Sequence, residues 1–220
     1  MIVKNIKRFK KEFDRDNSSG VSTKNTMDHE IIPHTYILPQ DYSIFMDEFQ
    51  KNPNRKWIVK PAARSQGKGI FIMSKYSQSK QLSAVLFKQD TLNKENFVVS
   101  KYIENPLLIG GKKFDLRMYV LVTNYKPLKV WKSSKAFARF CSENYVKEDC
   151  DEDNLFSHLT NVSYQVKSEK YNSVHGGKWS YKNFLLYIEL NYGRKKMNKM
   201  IEEIDSIIIN SLKAVQVIIV

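Results

Sequence analysis

Cysteine is scarce in this sequence, which has only Cys141 and Cys150 among its 220 residues. Neither cysteine has a spacing that suits a metal ion, and no apolar block near the start resembles a secretory signal. Both are therefore expected to be reduced thiols. Long apolar runs are also absent, and no stretch reaches the length of a membrane span. These absences disfavour a secreted or membrane-spanning protein and predict a cytoplasmic one.

Acidic residues are too few to balance the basic ones. The sequence has 23 Asp and Glu against 36 Lys and Arg, which gives a formal net charge of +13. Such a charge implies an anionic partner, namely nucleic acid, an anionic membrane, a nucleotide or an acidic protein. The sequence lacks a glycine-flanked aromatic RNA-binding motif, a zinc finger and an arginine-rich run. Charge alone therefore leaves the kind of partner open.

Apolar material is ample, since 42% of the residues are hydrophobic, with twelve Phe and twelve Tyr. This amount can fill one large core or two small ones. Helices and strands alternate irregularly, which predicts an α+β fold with two sublobes facing a cleft. The predicted helices are residues 2–15, 41–51, 78–88, 180–192 and 201–220; the predicted strands are 57–59, 70–73, 98–99, 114–122, 128–131, 137–140 and 156–165, and residues 16–30 are a predicted loop.

The strand that follows the reversal at Gly110-Gly111 has an unusual charge pattern. Successive strand side chains alternate between two faces, so Lys113, Asp115 and Arg117 share one face. An exposed edge strand would leave these charges solvated. Inside a protein they are costly unless something anionic compensates them. The three residues are therefore candidates for contact with an anionic ligand.

A basic, glycine-containing loop follows the strand that ends at Lys60. Its residues 63–69 read Ala-Arg-Ser-Gln-Gly-Lys-Gly. Glycines let backbone amides approach a phosphate, and the cations supply charge, although a basic β-turn has the same composition. The loop is neither a Walker loop nor a kinase loop. Taken together with the strand that carries Lys113, Asp115 and Arg117, the loop predicts phosphate contacts. The predicted contacts are Lys60, Arg64, Gln66, Gly67, Lys68 and Gly69.

Three more segments carry polar groups among apolar residues. Residues 100–103 are extended, and their backbone groups suit an adenine base. Arg139 lies in Ala-Arg-Phe, and residues 158–161 read His-Leu-Thr-Asn. A histidine of this kind is often purely structural. Together with the lysines, however, the segments predict a site for a nucleoside triphosphate, whose phosphates need several cations.

Several of these segments resemble the tubulin tyrosine ligase-like family, whose members share an ATP-grasp fold. They are WIVKPAARSQGKGIF, KYIENPLLIGGKKFDLRMYVLV, FARF and HLTNVS. The GKGIF loop and the GGKWS segment are most similar to its polyglutamylase branch. The resemblance covers essentially the whole chain. It implies a central lobe with a basic N-terminal helix over residues 1–104 and a C-terminal lobe over residues 105–220.

The resemblance also implies roles for individual residues. Lys60 and the loop at 63–69 contact the phosphates, and Arg117 faces the γ-phosphate. The implied adenine contacts are Ser100, Lys101, Tyr102 and Ile103, and the implied ribose and phosphate contacts are Lys113 and Asp115. The implied residues of the acceptor side and metal shell are His158, Thr160 and Asn161. The implied catalytic residues are Lys113, Arg117 and Arg139. Ser100 stands where the family usually has glutamine, and Ala136 replaces a frequent glycine.

The activity implied is ATP-dependent addition of free glutamate to glutamate side chains of tubulin C-terminal tails. ATP phosphorylates the side-chain carboxylate, and the incoming amine attacks the acyl-phosphate to form an isopeptide bond. The implied partners are microtubules and accessory subunits, and the implied locations are the cytoplasm, the cytoskeleton and the cilium. The basic helix and residues 194–196 would attract the acidic tail.

In the family, the Mg²⁺ ligands, an aspartate and a Glu-x-Asn pair, follow the final helix. We therefore expect a fragment, incomplete at both ends, with impaired activity and no metal ligands of its own. Two alternatives from the resemblance are a non-catalytic nucleotide- or microtubule-binding module and a tubulin glycylase or tyrosine ligase. A nucleic-acid-binding protein would explain the charge but not the face formed by Lys113, Asp115 and Arg117.

Overall fold

The structure is a computed structural model that describes residues 2–18, 31–74, 77–86, 95–146, 154–174 and 176–219. It divides into two compact units, each built from separate segments. The helical unit comprises Met1–Ile32, Arg117–Phe137 and Ser180–Val220, and the sheet unit comprises Pro33–Leu116 and Ala138–Trp179. The lobe boundary after residue 104 stays a prediction.

The described residues form helices and strands throughout the chain, which confirms the predicted α+β class. In chain order they are α1 (Ile2–Ser18), β1 (Thr35–Leu38), α2 (Tyr42–Lys51), β2 (Trp57–Pro61), β3 (Phe71–Met73), α3 (Ser77–Leu86), β4 (Phe97–Lys101), β5 (Leu108–Ile109), β6 (Lys112–Arg117), β7 (Val120–Tyr125), β8 (Leu128–Lys132), β9 (Phe137–Phe140), α4 (Leu155–His158), α5 (Val162–Gln165), β10 (Lys178–Ser180), α6 (Tyr181–Tyr192) and α7 (Arg194–Ile219).

The core of the sheet unit lies on one face of an antiparallel sheet with strand order β1-β4-β2-β3. Trp57 and Val59 of β2 are fully buried, while Lys60 between Val59 and Pro61 lies on the opposite face, where it is partly exposed and partly desolvated. Phe45 of α2 packs edge-on against Trp57, with ring centroids 5.3 Å apart. Removing a buried aromatic side chain of this kind costs about 3–5 kcal/mol. This core fixes the strand that carries Lys60.

A second sheet of the sheet unit has the strand order β10-β9-β6-β5. Strands β5 and β6 form a hairpin, and its turn residues Gly110 and Gly111 both have positive φ, at 58° and 73°. The predicted reversal is thereby confirmed. Beyond β9, the Cys141 N–H donates to the Lys113 carbonyl at 2.9 Å. Lys113 is therefore held in a strand that is paired with neighbours.

Helices α1 and α6 both pack against α7 in the helical unit. The buried residues of α1 are Val3 and Ile6, whereas Ile2 is 53% exposed. The predicted helix at 180–192 is confirmed as α6: the Ser180 hydroxyl accepts from the Asn183 N–H, and Gly193 ends the helix at φ 86°. No helix of the described residues is long and apolar enough to cross a membrane.

Several predicted boundaries were wrong. The run at 114–122 is not one strand, because β6 ends at Arg117 and β7 begins at Val120, where it pairs with β8 in a separate ribbon. Helix α1 continues to Ser18 into the predicted loop, and residues 19–30 of that loop lie outside the described part. Helix α7 begins at Arg194, seven residues before the predicted start at 201.

The segment at 156–165 was predicted as extended and instead contains the short helices α4 and α5. The Asn154 side chain caps α4 by accepting from the Phe156 N–H at 3.3 Å. Gln165, at the end of α5, is fully buried and donates to the Phe156 and Leu159 carbonyls. Local capping and this buried amide override the β-prone composition of the segment.

Candidate functional site

Two lysines of the sheet unit lie in strands of different sheets, and the charge of one acts on the other. Lys60 lies near the end of β2 and Lys113 lies in β6. Burial lowers the pKa of both side chains, that of Lys113 to about 8, and the nearby charge of Lys60 also lowers the pKa of Lys113. Like charges that act on one another disfavour each other's charged form. A partly buried ammonium group that is also repelled by a second cation favours an anion as its neighbour.

Aromatic side chains surround the Lys113 ammonium group. Its Nζ donates a 2.8 Å hydrogen bond to the Tyr102 hydroxyl and lies 4.2 Å from the Tyr102 ring centroid. The Tyr145 ring centroid is 5.8 Å from the same Nζ. Tyr102 and His158 are buried, and the Tyr102 oxygen lies 2.7 Å from His158 Nδ1. Burial raises the pKa of Tyr102, so its phenol stays protonated at neutral pH.

Asp115 and Arg139 bind one another across β6 and β9. Arg139 Nε donates to Asp115 Oδ1 at 2.8 Å, and Nη2 donates to Oδ2 at 2.5 Å. This bidentate geometry fixes the plane of the guanidinium group. The resemblance implied separate roles for these two residues and did not anticipate their pairing. The carboxylate therefore orients the arginine within the sheet unit.

The glycine-containing loop lies against the segment that carries Asn161. Gly67 is buried with φ 78°, and a Cβ built on it would lie 3.7 Å from the Asn161 side chain. The Ser163 hydroxyl donates to the Gln66 carbonyl at 3.4 Å. Gln66 itself has φ 63°, a conformation that non-glycine residues seldom adopt. The structure thus brings the loop at 63–69 and the segment at 158–161 together, as a shared site requires.

Arg64 and Lys68 extend away from this contact in the described structure. Arg64 is exposed and makes two 2.8 Å hydrogen bonds to the Glu95 carboxylate, from Nε and Nη2. Lys68 is also exposed, and its N–H donates to the Ser65 carbonyl at 3.2 Å. Glu95 was missed in the sequence because a single acidic residue after a loop gives no signal of pairing. A phosphate contact from Arg64 stays a prediction.

The predicted adenine segment continues the first sheet. The Ser100 hydroxyl lies 3.0 Å from that of Thr35 on the neighbouring strand. The Lys101 N–H donates to the His34 carbonyl and the Tyr102 N–H donates to the Lys56 carbonyl. Lys101 and Ile103 are exposed, whereas the Tyr102 side chain is buried. Two amides of the segment are thus engaged by the protein backbone, and an adenine contact stays a prediction.

Gln165 is a site-shaping residue that the sequence did not single out. Its side-chain oxygen accepts from the Ser142 N–H at 2.7 Å, while its nitrogen donates to the Phe156 and Leu159 carbonyls. It therefore ties the segment containing His158 and Thr160 to the end of β9. A glutamine in an apparently extended run carries no sequence signal of burial. Tyr145 was also missed, because a tyrosine between predicted elements gives no sign of its contact with Lys113.

Arg117 belongs to the helical unit, while Lys60 and Lys113 belong to the sheet unit. The Arg117 guanidinium carbon lies 5.4 Å from the Tyr119 ring centroid, and the residue is exposed. Its convergence with the two lysines stays a prediction. Among the described residues, no group of three or more His, Cys, Asp or Glu side chains could hold a metal ion. The carboxylate of Asp115 is occupied by Arg139.

A family model described as the tubulin-tyrosine ligase family matches residues 1–220. The chain belongs to this family. The match confirms the family to which the FDLR and HLTN motifs pointed, and the mixed α+β structure agrees with it.

Named relatives within the family are similar over the whole chain. Probable alpha-tubulin polyglutamylase Ttll1 of Tetrahymena thermophila is 48% identical over 226 residues, covering 100% of this chain and 55% of the relative. Probable tubulin polyglutamylase TTLL9 of Rattus norvegicus is 36% identical over 248 residues, covering 100% of this chain and 52% of the relative. The chain thus spans about half the length of these relatives.

Proposed function

We propose that this chain is part of an ATP-dependent ligase that adds glutamate to glutamate side chains of tubulin C-terminal tails. The observation that carries the proposal is the partly buried Lys113 ammonium group of the sheet unit, held against Tyr102 with its pKa lowered by burial and by the charge of Lys60. The family and the polyglutamylase names of the similar proteins support the reaction and its substrate. These names also favour glutamate over glycine or tyrosine as the amino acid that is added.

The residues present fit a triphosphate. Burial and the charge of Lys60 lower the pKa of Lys113, and the nearby Asp115 does not restore its ordinary value. An anionic ligand would supply that compensation. Lys60 and Lys113 would hold the phosphates, with the backbone of the loop around Gly67 beside them. ATP, when bound, supplies the phosphoryl group that activates a carboxylate.

We assign Arg139 to the acyl group of the acceptor. Its bidentate bond with Asp115 fixes the guanidinium plane, so the charge is oriented before a substrate arrives. A preorganised cation of this kind stabilises negative charge that develops on a carbonyl oxygen. Thr160 and Asn161, beside the glycine loop, would complete the acceptor side, and Arg117 would face the terminal phosphate.

The acidic substrate matches a basic surface on α1. Lys4, Lys7, Arg8 and Lys11 are all exposed and recur at helical spacing, opposite the buried Val3 and Ile6. A glutamate-rich tail would be attracted to this stripe through a salt-sensitive contact. Free glutamate, microtubules and accessory subunits are the proposed partners, and the cytoskeleton, including the cilium, is the proposed location.

Magnesium does not fit the described residues, since they contain no cluster of carboxylates or histidines suited to a metal. We therefore assign no step to Mg²⁺ in this chain. The partly buried Lys113 and the exposed basic residues of α1 also suit a second candidate function. In this alternative the chain is a non-catalytic module that binds nucleotide or microtubules.

Measuring labelled glutamate incorporation into tubulin tests the proposed function directly. With ATP present, we expect incorporation of glutamate in preference to glycine or tyrosine, and its loss in Lys60→Met and Lys113→Met. Calorimetric titration of the same chain with ATP separates the two candidates. ATP binding without incorporation of any amino acid would support the non-catalytic module, and absence of both would contradict the proposed site.

A further inference from the structure

The Tyr102 hydroxyl makes the closest polar contact of Lys113. The ammonium group donates to this hydroxyl at 2.8 Å and lies 4.2 Å from the centre of the same ring. The side chain of Tyr102 is buried, so its hydroxyl and ring face are directed at the lysine and not at solvent. A role for Tyr102 in binding adenine would use neither of these groups. The geometry therefore gives the Tyr102 side chain a different task.

Tyr102 is held in place from several directions. Its N–H donates to the carbonyl of Lys56, the residue directly before β2, and this bond holds Tyr102 against the first sheet. Its ring lies edge-on to His158, with centroids 5.7 Å apart, and His158 is edge-on to Tyr145 at 5.5 Å. The Tyr145 hydroxyl donates to the Glu104 carbonyl at 2.8 Å. The aromatic surroundings of Lys113 are therefore fixed by backbone and side-chain contacts together.

Hydrogen-bond chemistry sets the direction of the Tyr102 hydroxyl. An ammonium group only donates, so the Tyr102 oxygen must accept from Lys113. The phenolic hydrogen then has an acceptor at His158 Nδ1, 2.7 Å away, when that nitrogen carries no proton. The Tyr145 hydroxyl is a second hydrogen-bond partner of Tyr102. With its hydrogen directed to these partners, the Tyr102 oxygen keeps a lone pair directed at the lysine.

We infer that Tyr102 is a positioning residue, held by His158, that orients the Lys113 ammonium group for contact with a phosphate anion. The inference rests on the proposed function for the identity of that anion. Other charged or titratable groups also act on Lys113: Lys60 from β2, Asp115 from its own strand, and Cys141, which follows β9. The inference therefore needs a test that is specific to the Tyr102 hydroxyl.

Nuclear magnetic resonance of the lysine side chains provides this test without any ligand. Tyr102→Phe removes only the oxygen that accepts from Lys113 and keeps the ring. Because a hydrogen bond to a charged group favours the charged form, we expect the measured pKa of Lys113 to fall by about 1. Tyr125→Phe, in β7 of the other unit, is the matched control and should leave this pKa unchanged.

Two substitutions of His158 give an independent check. His158→Asn can place an amide oxygen near the position of Nδ1 and should retain the titration of Lys113. His158→Leu removes the acceptor and should shift the pKa of Lys113 in the direction seen for Tyr102→Phe. If Tyr102→Phe does not fold, this pair of variants decides the question. An unchanged Lys113 titration in both Tyr102→Phe and His158→Leu would overturn the inference.

Binding of ATP and of inorganic tripolyphosphate links the positioning role to a ligand. In Tyr102→Phe we expect both dissociation constants to rise by about tenfold, because one charge-assisted hydrogen bond that orients the cation is lost. An equal loss of affinity for the two ligands places the effect at the phosphates. A loss of affinity for ATP alone would contradict a role of Tyr102 in phosphate binding. If wild-type protein binds neither ligand, the proposed function fails, while the magnetic-resonance result still decides the role of Tyr102.

Discussion

Gly69 is the residue of the loop at 63–69 with the least room for a side chain. Its φ is +73°, and an added Cβ would lie 3.0 Å from Pro61 Cγ and 3.2 Å from Arg64 Nη1. Gly110 has a similar φ of +58°, but an added Cβ would meet nothing within 4 Å. Alanine at either position would strain the backbone, but only alanine at Gly69 would also crowd its neighbours. Comparing the two substitutions therefore separates backbone strain from steric crowding.

We predict that Gly69→Ala weakens ATP binding and destabilises the fold by more than Gly110→Ala does. A residue with a side chain in the left-handed region costs roughly 1–2 kcal/mol, and this cost is common to both variants. Urea unfolding measures the stability and calorimetry measures the affinity. Equal loss of ATP affinity in the two variants would show that the loop at 63–69 takes no part in binding.

Lys113 also makes the stability of the protein depend on pH. Its native pKa of about 8 lies below the ordinary 10.5, so between these values the unfolded chain binds more protons at this residue. The free energy of unfolding therefore rises with pH through this window, by at most about 3 kcal/mol. Burial raises the pKa of Cys141 from 9.0 to about 12, which lowers stability as pH rises above 9. The gain from Lys113 is thus clearest between pH 8 and 9.

We predict that wild-type stability increases by roughly 1 kcal/mol between pH 8 and 9, and that Lys113→Met abolishes the increase. Replacing a buried charge with an apolar side chain of similar length also removes the cost of desolvation at neutral pH. Urea unfolding at pH 7, 8 and 9 under reducing conditions checks this. The same slope in both proteins would mean that Lys113 is not the titrating group.

At the scale of elements, the contact between α5 and the end of β9 depends on one amide. Gln165 is buried and bonds to the backbone of Ser142, Phe156 and Leu159. Gln165→Met keeps the length of the side chain but leaves three buried backbone groups without this partner. Each such group costs about 1–3 kcal/mol, so we predict a loss of several kcal/mol.

Gln216→Met is the matched control for this prediction. Gln216 of α7 donates to the Tyr125 carbonyl in the helical unit, a single hydrogen bond at a half-buried position. Its loss should cost about 1 kcal/mol. Urea unfolding compares the two variants, and amide hydrogen exchange at residues 158–161 should accelerate only in Gln165→Met. Similar stability losses with unchanged exchange would argue against the anchoring role of Gln165.

Elements with strong local signals were predictable from the sequence. The apolar spacing of α2, the Ser180 and Gly193 caps of α6 and the glycines of the β5–β6 turn all act through neighbouring residues, and the structure has them where the sequence placed them. The helices α4 and α5 were not predictable, because the buried Gln165 amide that holds them also accepts from the Ser142 N–H, which lies outside the segment. Tertiary contacts decided that segment.

In the candidate site, too, local features were predictable and tertiary contacts were not. The sequence predicted phosphate contacts from Lys60, Lys113 and the glycine loop, since these residue types in strands and turns are typical of phosphate binding. It gave no sign that Arg64 pairs with Glu95 or that Asp115 pairs with Arg139. Partners that lie 31 and 24 residues apart are set by strand and loop placement, which a single sequence does not encode locally.

For the whole molecule, the formal charge of +13 predicts salt-sensitive attraction of acidic peptides. We predict that the double variant Lys4→Glu and Lys11→Glu weakens binding of a glutamate-rich tubulin tail peptide by about tenfold at low salt, and much less at high salt. Both lysines are exposed on α1. Fluorescence anisotropy of a labelled peptide measures the effect.

The double variant Lys126→Glu and Lys129→Glu changes the net charge by the same amount at exposed positions near the turn between β7 and β8. If the peptide recognises the stripe on α1, this control should have little effect on affinity. Equal weakening by the two double variants would mean that total charge, and no particular surface, attracts the peptide. Stronger binding of RNA than of the peptide at every salt concentration would favour a nucleic-acid partner.

Strand β4 lies between β1 and β2 and leads directly into Tyr102, whose N–H is bound to Lys56. The phenol that contacts Lys113 is therefore attached to a strand paired on both sides. Lys113 and Tyr102 therefore lose their conformational freedom when the protein folds, before any ligand binds. Since little free energy is then needed to immobilise the lysine, almost all of the free energy of its contact with a ligand contributes to affinity.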